Sequence, residues 1–255
     1  MKELEKYNPF NIREYYIISD GNKNFFKYKG YLLELSKEGY IPKSGLLFDE
    51  VLDFDTCNNK NILDLGCGYL GILGIIAKFN GAKNIDSIDY DDNCVLWFNK
   101  IIKENGYNNI KCFKSNYFEN IKDNYDLILS NPPQLPMKNG SLHDSGGIDG
   151  RKYILEIMNQ SFLHLKDNGK LYLLVFDFLG SLEKTNKEKS LLEIANDIGY
   201  KKVEMLYEIE KTIKEGSLTY ENLSYISKIY PFYDFKNNKC KIQILSMEKW
   251  LWKII

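Results

Sequence analysis

Histidine is nearly missing from this 255-residue chain, which has two, and neither stands at metal-ligand spacing from a cysteine. The five cysteines, Cys57, Cys67, Cys94, Cys112 and Cys240, are odd in number and scattered, with no C-x-x-C among them. That distribution fits neither a zinc site nor a disulfide framework, so no metal is expected and the thiols are expected to be reduced. Charge of one sign is lacking too: 34 basic against 35 acidic side chains leave a net charge of −1. No global field would draw such a chain onto nucleic acid, although the many lysines are compatible with a local basic patch. The first residues, MKELEKYNPF, carry no apolar signal core, and no run reaches the roughly 18 apolar residues of a membrane span. A soluble, cytoplasmic protein without membrane attachment is the expectation. There is no internal repeat.

What is present is enough apolar material for one well-buried core with a small appendage. Two zones differ in pattern. Residues 1–60 show short β-like runs rich in Tyr, Phe and Ile at 15–18, 24–28 and 31–35. Asp20-Gly21-Asn22 lies between the first two as a hairpin signal, and a helix is expected over 45–54. From residue 61, strands alternate with helices: strands at 61–65, 84–89, 110–113, 125–129 and 170–176, and helices at 71–79, 92–105, 151–165 and 189–198. Two last strands follow at 203–209 and 241–246. This alternation predicts an α/β domain over 61–255, a mainly parallel seven-stranded sheet covered by helices on both faces, preceded by an N-terminal hairpin extension over 1–60. Ligands in such sheets sit beyond the carboxyl ends of the strands.

Two motifs fall there. The first is Ile62-Leu63-Asp64-Leu65-Gly66-Cys67-Gly68-Tyr69-Leu70-Gly71, a strand, a glycine turn and a helix start. Gly66 and Gly68 lack a Cβ, so the backbone can turn sharply and a ligand can press against it. Asp89 ends the next strand, where its carboxylate could accept from two ribose hydroxyls. Asp64, two residues before the first glycine, is placed to meet the amino group of a methionine moiety. Taken by themselves these residues indicate an adenosine-containing cofactor and leave NAD and S-adenosylmethionine both open.

The second motif decides between them. Tyr125-Asp126-Leu127-Ile128-Leu129-Ser130-Asn131-Pro132-Pro133-Gln134 is an apolar strand running into two prolines, which fix φ and remove two backbone donors. The Asn131 side-chain oxygen and the Pro132 carbonyl can accept two hydrogens from an –NH2 group. Amide and aromatic-amine nitrogens are poor nucleophiles, and two fixed acceptors would favour the pyramidal, positively charging nitrogen over the planar ground state.

Together the glycine loop, Asp89 and N-P-P-x resemble a class I S-adenosylmethionine-dependent methyltransferase of the amino-methylating type. The nearer resemblance is to the HemK-like branch, the protein-glutamine methyltransferases of release factors and ribosomal protein. Residues 28–51 are similar to that family's hairpin and I-P-R-P-x-T-E segment. Ser115-Asn116-Tyr117-Phe118 resembles its S-D-L-F, and Gly146-Gly147-Ile148-Asp149-Gly150 its G-G-x-D-G loop. The likeness spans roughly residues 24–176. It implies a Rossmann-like fold, S-adenosyl-L-methionine as methyl donor with S-adenosyl-L-homocysteine as product, and a protein, peptide or small-molecule acceptor. It also implies cofactor contacts from Asp64, Gly66, Cys67, Gly68, Asp89, Tyr90, Asn116, Tyr117 and Asn131. The transfer itself falls to Asn131, Pro132, Pro133 and Gln134. This chain has Gln134 where members usually carry an aromatic, Lys43, Ser44 and Gly45 for the family's Arg, Thr and Glu, and Asn116 for an acidic residue.

Two other readings stand beside this one: an adenine N-methyltransferase acting on RNA or DNA, and a cofactor-binding subunit without catalysis. His143 could line the pocket or be solvated, and His164 is expected to be structural. The aromatic-rich segment 210–235 is expected to form either a substrate lid or a helix packed on the sheet edge. Trp250 and Trp252 are expected to pack at an edge or interface.

Overall fold

The computed structural model describes residues 3–39, 41–140 and 143–250, so Trp252 lies outside the described residues. The chain divides into two compact units, Met1–Ile121 and Lys122–Ile255.

The first unit opens with an antiparallel meander: β1 (Glu3–Tyr7), β2 (Tyr15–Asp20), β3 (Lys23–Tyr28) and β4 (Tyr31–Glu34). Asp20 pairs with Lys23, so Gly21 and Asn22 make a two-residue turn, with Gly21 at a φ of 62°. Tyr28 pairs with Tyr31 around Lys29 and Gly30, both at positive φ, the geometry that matches the strand twist in tight hairpins. The extension is therefore larger than the predicted hairpin. Its added strand β1 is short and mostly charged, and it acquires strand geometry by pairing with β2. Phe26, Tyr28 and Leu33 form the buried face. Tyr28 donates to Asp49 Oδ1 at 2.7 Å, and Arg13 Nη1 to Asp49 Oδ2 at 3.0 Å.

Asp49 belongs to a 3-10 helix, Ser44–Glu50. The expected helix over 45–54 is thus broken in two, because Asp53 caps a new short helix, α1 (Phe54–Cys57), by accepting from Thr56 N at 2.8 Å.

The same unit continues with β5 (Asn61–Leu65), α2 (Ile72–Phe79), β6 (Asn84–Asp89), α3 (Asp92–Glu104) and β7 (Ile110–Lys114). The three strands pair in parallel in the order β5-β6-β7. Helix α2 is apolar nearly all round and buries Ile72, Leu73, Ile75, Ile76 and Ala77, as a helix inside a covered sheet should. Trp97 on α3 donates its Nε1 hydrogen to Glu34 O at 2.9 Å, fastening the meander to this layer.

The second unit contains β8 (Tyr125–Ser130), α4 (Lys152–His164), β9 (Leu165–Phe176), α5 (Leu191–Ile198), β10 (Tyr200–Thr212), two short helices, α6 (Leu218–Glu221) and α7 (Leu223–Ile229), and β11 (Lys239–Lys249). Strand β8 is parallel to β9, whereas β11 runs antiparallel to both β9 and β10. Helix α5 starts in a capping box, in which Ser190 and Glu193 satisfy each other's backbone amides. Strands β5 to β11 are the seven strands of one mixed sheet, with the predicted alternation intact.

Candidate active site

The glycine loop is built by two positive-φ residues. Gly66 lies at a φ of 80° and Gly68 at 60°, and a Cβ at either would meet no protein atom within 4 Å. The space beside both backbones is therefore open, as a ligand lying against them requires. Gly71 plays a different part: a Cβ there would fall 2.0 Å from the Phe98 ring, so this glycine lets α3 pack closely on the start of α2.

Asp64 is 1% exposed. Its Oδ2 accepts from Gly74 N at 3.0 Å, while Oδ1 is buried without a hydrogen-bond partner. Burial pushes the carboxyl up to about 7, with the Asp89 charge adding to the rise and the Gly74 amide and the nearby Ser87 hydroxyl opposing it. A buried carboxylate oxygen without a hydrogen-bond partner, beside an open glycine turn, is an acceptor that an ammonium group would satisfy. The loop thus fits a cofactor carrying an amino-acid moiety. Gly74 is a site-forming residue the sequence reading passed over; its signal was a glycine inside an apolar helix.

Asp89 ends β6, as expected. Gly68 N donates to its Oδ2 at 2.8 Å and Asp91 N to its Oδ1 at 2.9 Å, so the carboxylate is held in one rotamer at the strand end. Tyr90 is 60% exposed, with the Lys114 ammonium 5.9 Å from its ring centre. The Cys67 thiol is buried 3.8 Å from that of Cys112, so what this residue offers a ligand is its backbone.

After β7, buried Ser115 shapes the turn by donating to Tyr117 O at 2.7 Å and accepting from Asn120 N at 3.1 Å. Tyr117 takes a φ of 49°. Exposed Asn116 donates from Nδ2 to Glu119 at 2.7 Å, which leaves Oδ1 as the acceptor it can offer a ligand.

In the second unit, β8 ends at Ser130 and runs into Asn131, which is half-buried, then buried Pro132 and half-buried Pro133. Gln134 corrects the sequence reading. It is 5% exposed, and both of its amide hydrogens are engaged, one with Pro132 O at 3.2 Å and one with Leu174 O at 3.0 Å. Its Oε1 accepts from Phe176 N at 2.7 Å. A side chain so enclosed does not touch an acceptor; it fastens the turn.

The glycines of the 146–150 loop have a packing reason. A Cβ at Gly146 would lie 2.6 Å from Gln134 Cα, and one at Gly150 would lie 2.6 Å from Gln134 O. Leu135 N bonds Asp144 O and Gly146 N bonds Leu135 O, so loop and turn form one piece. Segment 210–235 clips that piece: Tyr225 donates to Ile148 O at 3.0 Å and Tyr230 to Asp149 O. Tyr230 is fully buried beside Phe178, which also meets Tyr233 and Phe235, so this half of the segment packs as core. His143 is exposed in a turn, and His164 closes α4. A small, half-open pocket lies in the first unit between Pro9, Phe10, Ile12, Arg13, Leu46 and Leu47, and none of the predicted site residues lines it. Among the described residues no cluster of His, Cys, Asp and Glu could hold a metal.

A glycine turn with an acidic strand end in one unit, and an Asn-Pro-Pro turn in the other, are the parts of a class I methyltransferase. Known proteins bear this out. The methyltransferase small domain pattern matches residues 42–202, and the chain belongs to that family, in its HemK-like branch. A Methanocaldococcus jannaschii protein named as a protein N5-glutamine methyltransferase is 34% identical over 175 residues, 64% of this chain and 85% of its own length. The release factor glutamine methyltransferase of Aliivibrio fischeri is 29% identical over 56% of this chain, and the match covers 52% of that enzyme, about half its length. In fold, a methyltransferase from Pyrococcus furiosus superposes with a TM-score of 0.56 at 19% identity, covering 88% of this chain and 91% of that one.

Proposed function

We propose that this chain is an S-adenosylmethionine-dependent N-methyltransferase acting on the side-chain amide of glutamine in a protein. The observation that carries the reading is the Asn131-Pro132-Pro133 turn, which ends a parallel strand and is tied down on both flanks. The names of the two relatives above support the acceptor class.

The bound cofactor supplies a methyl group on a sulfonium. Asp64 would hold its ammonium through Oδ1, and the Gly66 and Gly68 backbones would leave room for its chain. Asp89 would take the ribose hydroxyls and Asn116 Oδ1 the adenine amine, and Tyr90 and Tyr117 would contribute further contacts. Asn131 Oδ1 and Pro132 O each accept one hydrogen of the acceptor –NH2, which turns the nitrogen lone pair out of conjugation and stabilises the charge that develops on it. The methylated nitrogen then sheds one proton to water. The near-balanced charge of the chain supports a protein over a nucleic-acid acceptor. The same reading places the enzyme in the cytoplasm.

The test is to incubate the chain with methyl-tritiated S-adenosylmethionine and a purified peptide-chain release factor. Label should enter the protein and map by peptide mass spectrometry to one glutamine. Label entering added RNA, with none in protein, would overturn the acceptor assignment.

A further inference from the structure

Ladder pairing between β8 and β9 stops where the prolines begin: the last partners are Ser130 and Leu173. Pro132 and Pro133 have no N–H to offer the neighbouring strand. Beyond that point the Gln134 side chain takes over, donating to Leu174 O at 3.0 Å and accepting from Phe176 N at 2.7 Å. Its second amide hydrogen goes back to Pro132 O at 3.2 Å. One neutral side chain thereby continues the sheet past two prolines and grips the carbonyl between them. On the other side, Gly146 and Gly150 close on the Gln134 main chain at distances that admit no Cβ. A phenyl or phenol ring at this position has no group that donates to two carbonyls at once.

We propose that Gln134 is a positioning residue for methyl transfer, holding Pro132 O to β9 so that the carbonyl's second lone pair keeps one direction toward the acceptor nitrogen. This rests on the reading of the turn given above as the acceptor site. A carbonyl oxygen offers two acceptor positions; Gln134 occupies one, and the other is then fixed in space. Small errors in such an acceptor fall on the transition state, whose geometry is the stricter, more than on substrate binding.

Two near-isosteric variants test it in the full-length chain, with S-adenosylmethionine and a purified release factor as substrates. Q134M keeps the volume and removes all three hydrogen bonds. Q134E keeps the bond from Phe176 N but sets a carboxylate against the Pro132 and Leu174 carbonyls. Cofactor stoichiometry by calorimetry should stay at one per chain, with wild-type affinity, because every hydrogen bond of the Gln134 side chain goes to Pro132 or to β9 and none to the glycine loop. The acceptor KM should move less than about threefold while kcat falls at least about tenfold in both. Wild-type kcat in either variant at full cofactor occupancy overturns the proposal. So does a loss of activity in both that is wholly matched by lost cofactor stoichiometry, which would make Gln134 merely structural. A wild-type chain that transfers no methyl group overturns the reading of the turn and this role with it.

Discussion

Asn131 and Asp64 are the residues on which the chemistry is most exposed to test. In the proposed mechanism Asn131→Ala removes one of the two acceptors for the charging nitrogen. The loss in kcat should be about 10² to 10³, the range measured when a single transition-state hydrogen bond is deleted. Calorimetric affinity for the cofactor should stay within about twofold, and undiminished turnover would sink the mechanism. Asp64 predicts a pH dependence. Its carboxyl is pushed up to about 7 by burial, so it is largely protonated below that pH. Pairing with a cofactor ammonium needs the carboxylate, so binding below about 7 must release a proton. Cofactor affinity should therefore rise by up to about tenfold per pH unit as pH climbs toward 7, then level off. The same titration with Asp64→Asn should be weak and flat across that range. A wild-type curve as flat as the variant's would remove Asp64 from the cofactor site.

Elements are set here by where glycine is compulsory and where it is only convenient. The three glycines of the loop read alike in sequence, yet they divide by function. Gly71 lies at a φ of 53° with the Phe98 ring where a Cβ would stand, so Gly71→Ala should force α2 and α3 apart. Overpacking and left-handed strain together should cost about 2–5 kcal/mol in urea unfolding. Gly66→Ala meets no protein atom and should cost about 1 kcal/mol, while the new methyl group intrudes on the open side of the loop and weakens cofactor binding. Equal stability losses in the two variants would contradict this division. The strand–turn–helix order, its glycines and Asp89 were legible because each is a local signal with a fixed period or a fixed φ. The four-stranded meander was not, since β1 is charged and short and becomes a strand only by pairing with β2.

At the level of the whole molecule, the charge balance is the property with a direct consequence. A net charge of −1 gives no long-range attraction to the phosphate backbone, and any binding there should be weak and short-ranged. Filter binding of RNA and duplex DNA at about 150 mM salt should show no specific retention, and a steep fall of measurable affinity with salt would favour the nucleic-acid reading. No helix among the described residues is long and apolar enough to cross a membrane. The glycine loop lies in the compact unit that ends at Ile121, and the Asn-Pro-Pro turn in the unit that begins at Lys122.

The sequence by itself determined the alternation of strand and helix, the glycine turn, Asp89 at its strand end and the rigid Asn-Pro-Pro turn. These follow from side-chain periodicity and from the fixed or freed φ of proline and glycine, which act over a few residues. Tertiary structure alone decided what Gln134 does, because its partners Leu174 and Phe176 lie 40 and 42 residues further along the chain. It likewise decided that Cys67 turns its thiol to Cys112, and that Tyr225 and Tyr230 clip the loop at 148 and 149. Each of those outcomes depends on which groups the fold brings together across tens of residues, and no local pattern records that.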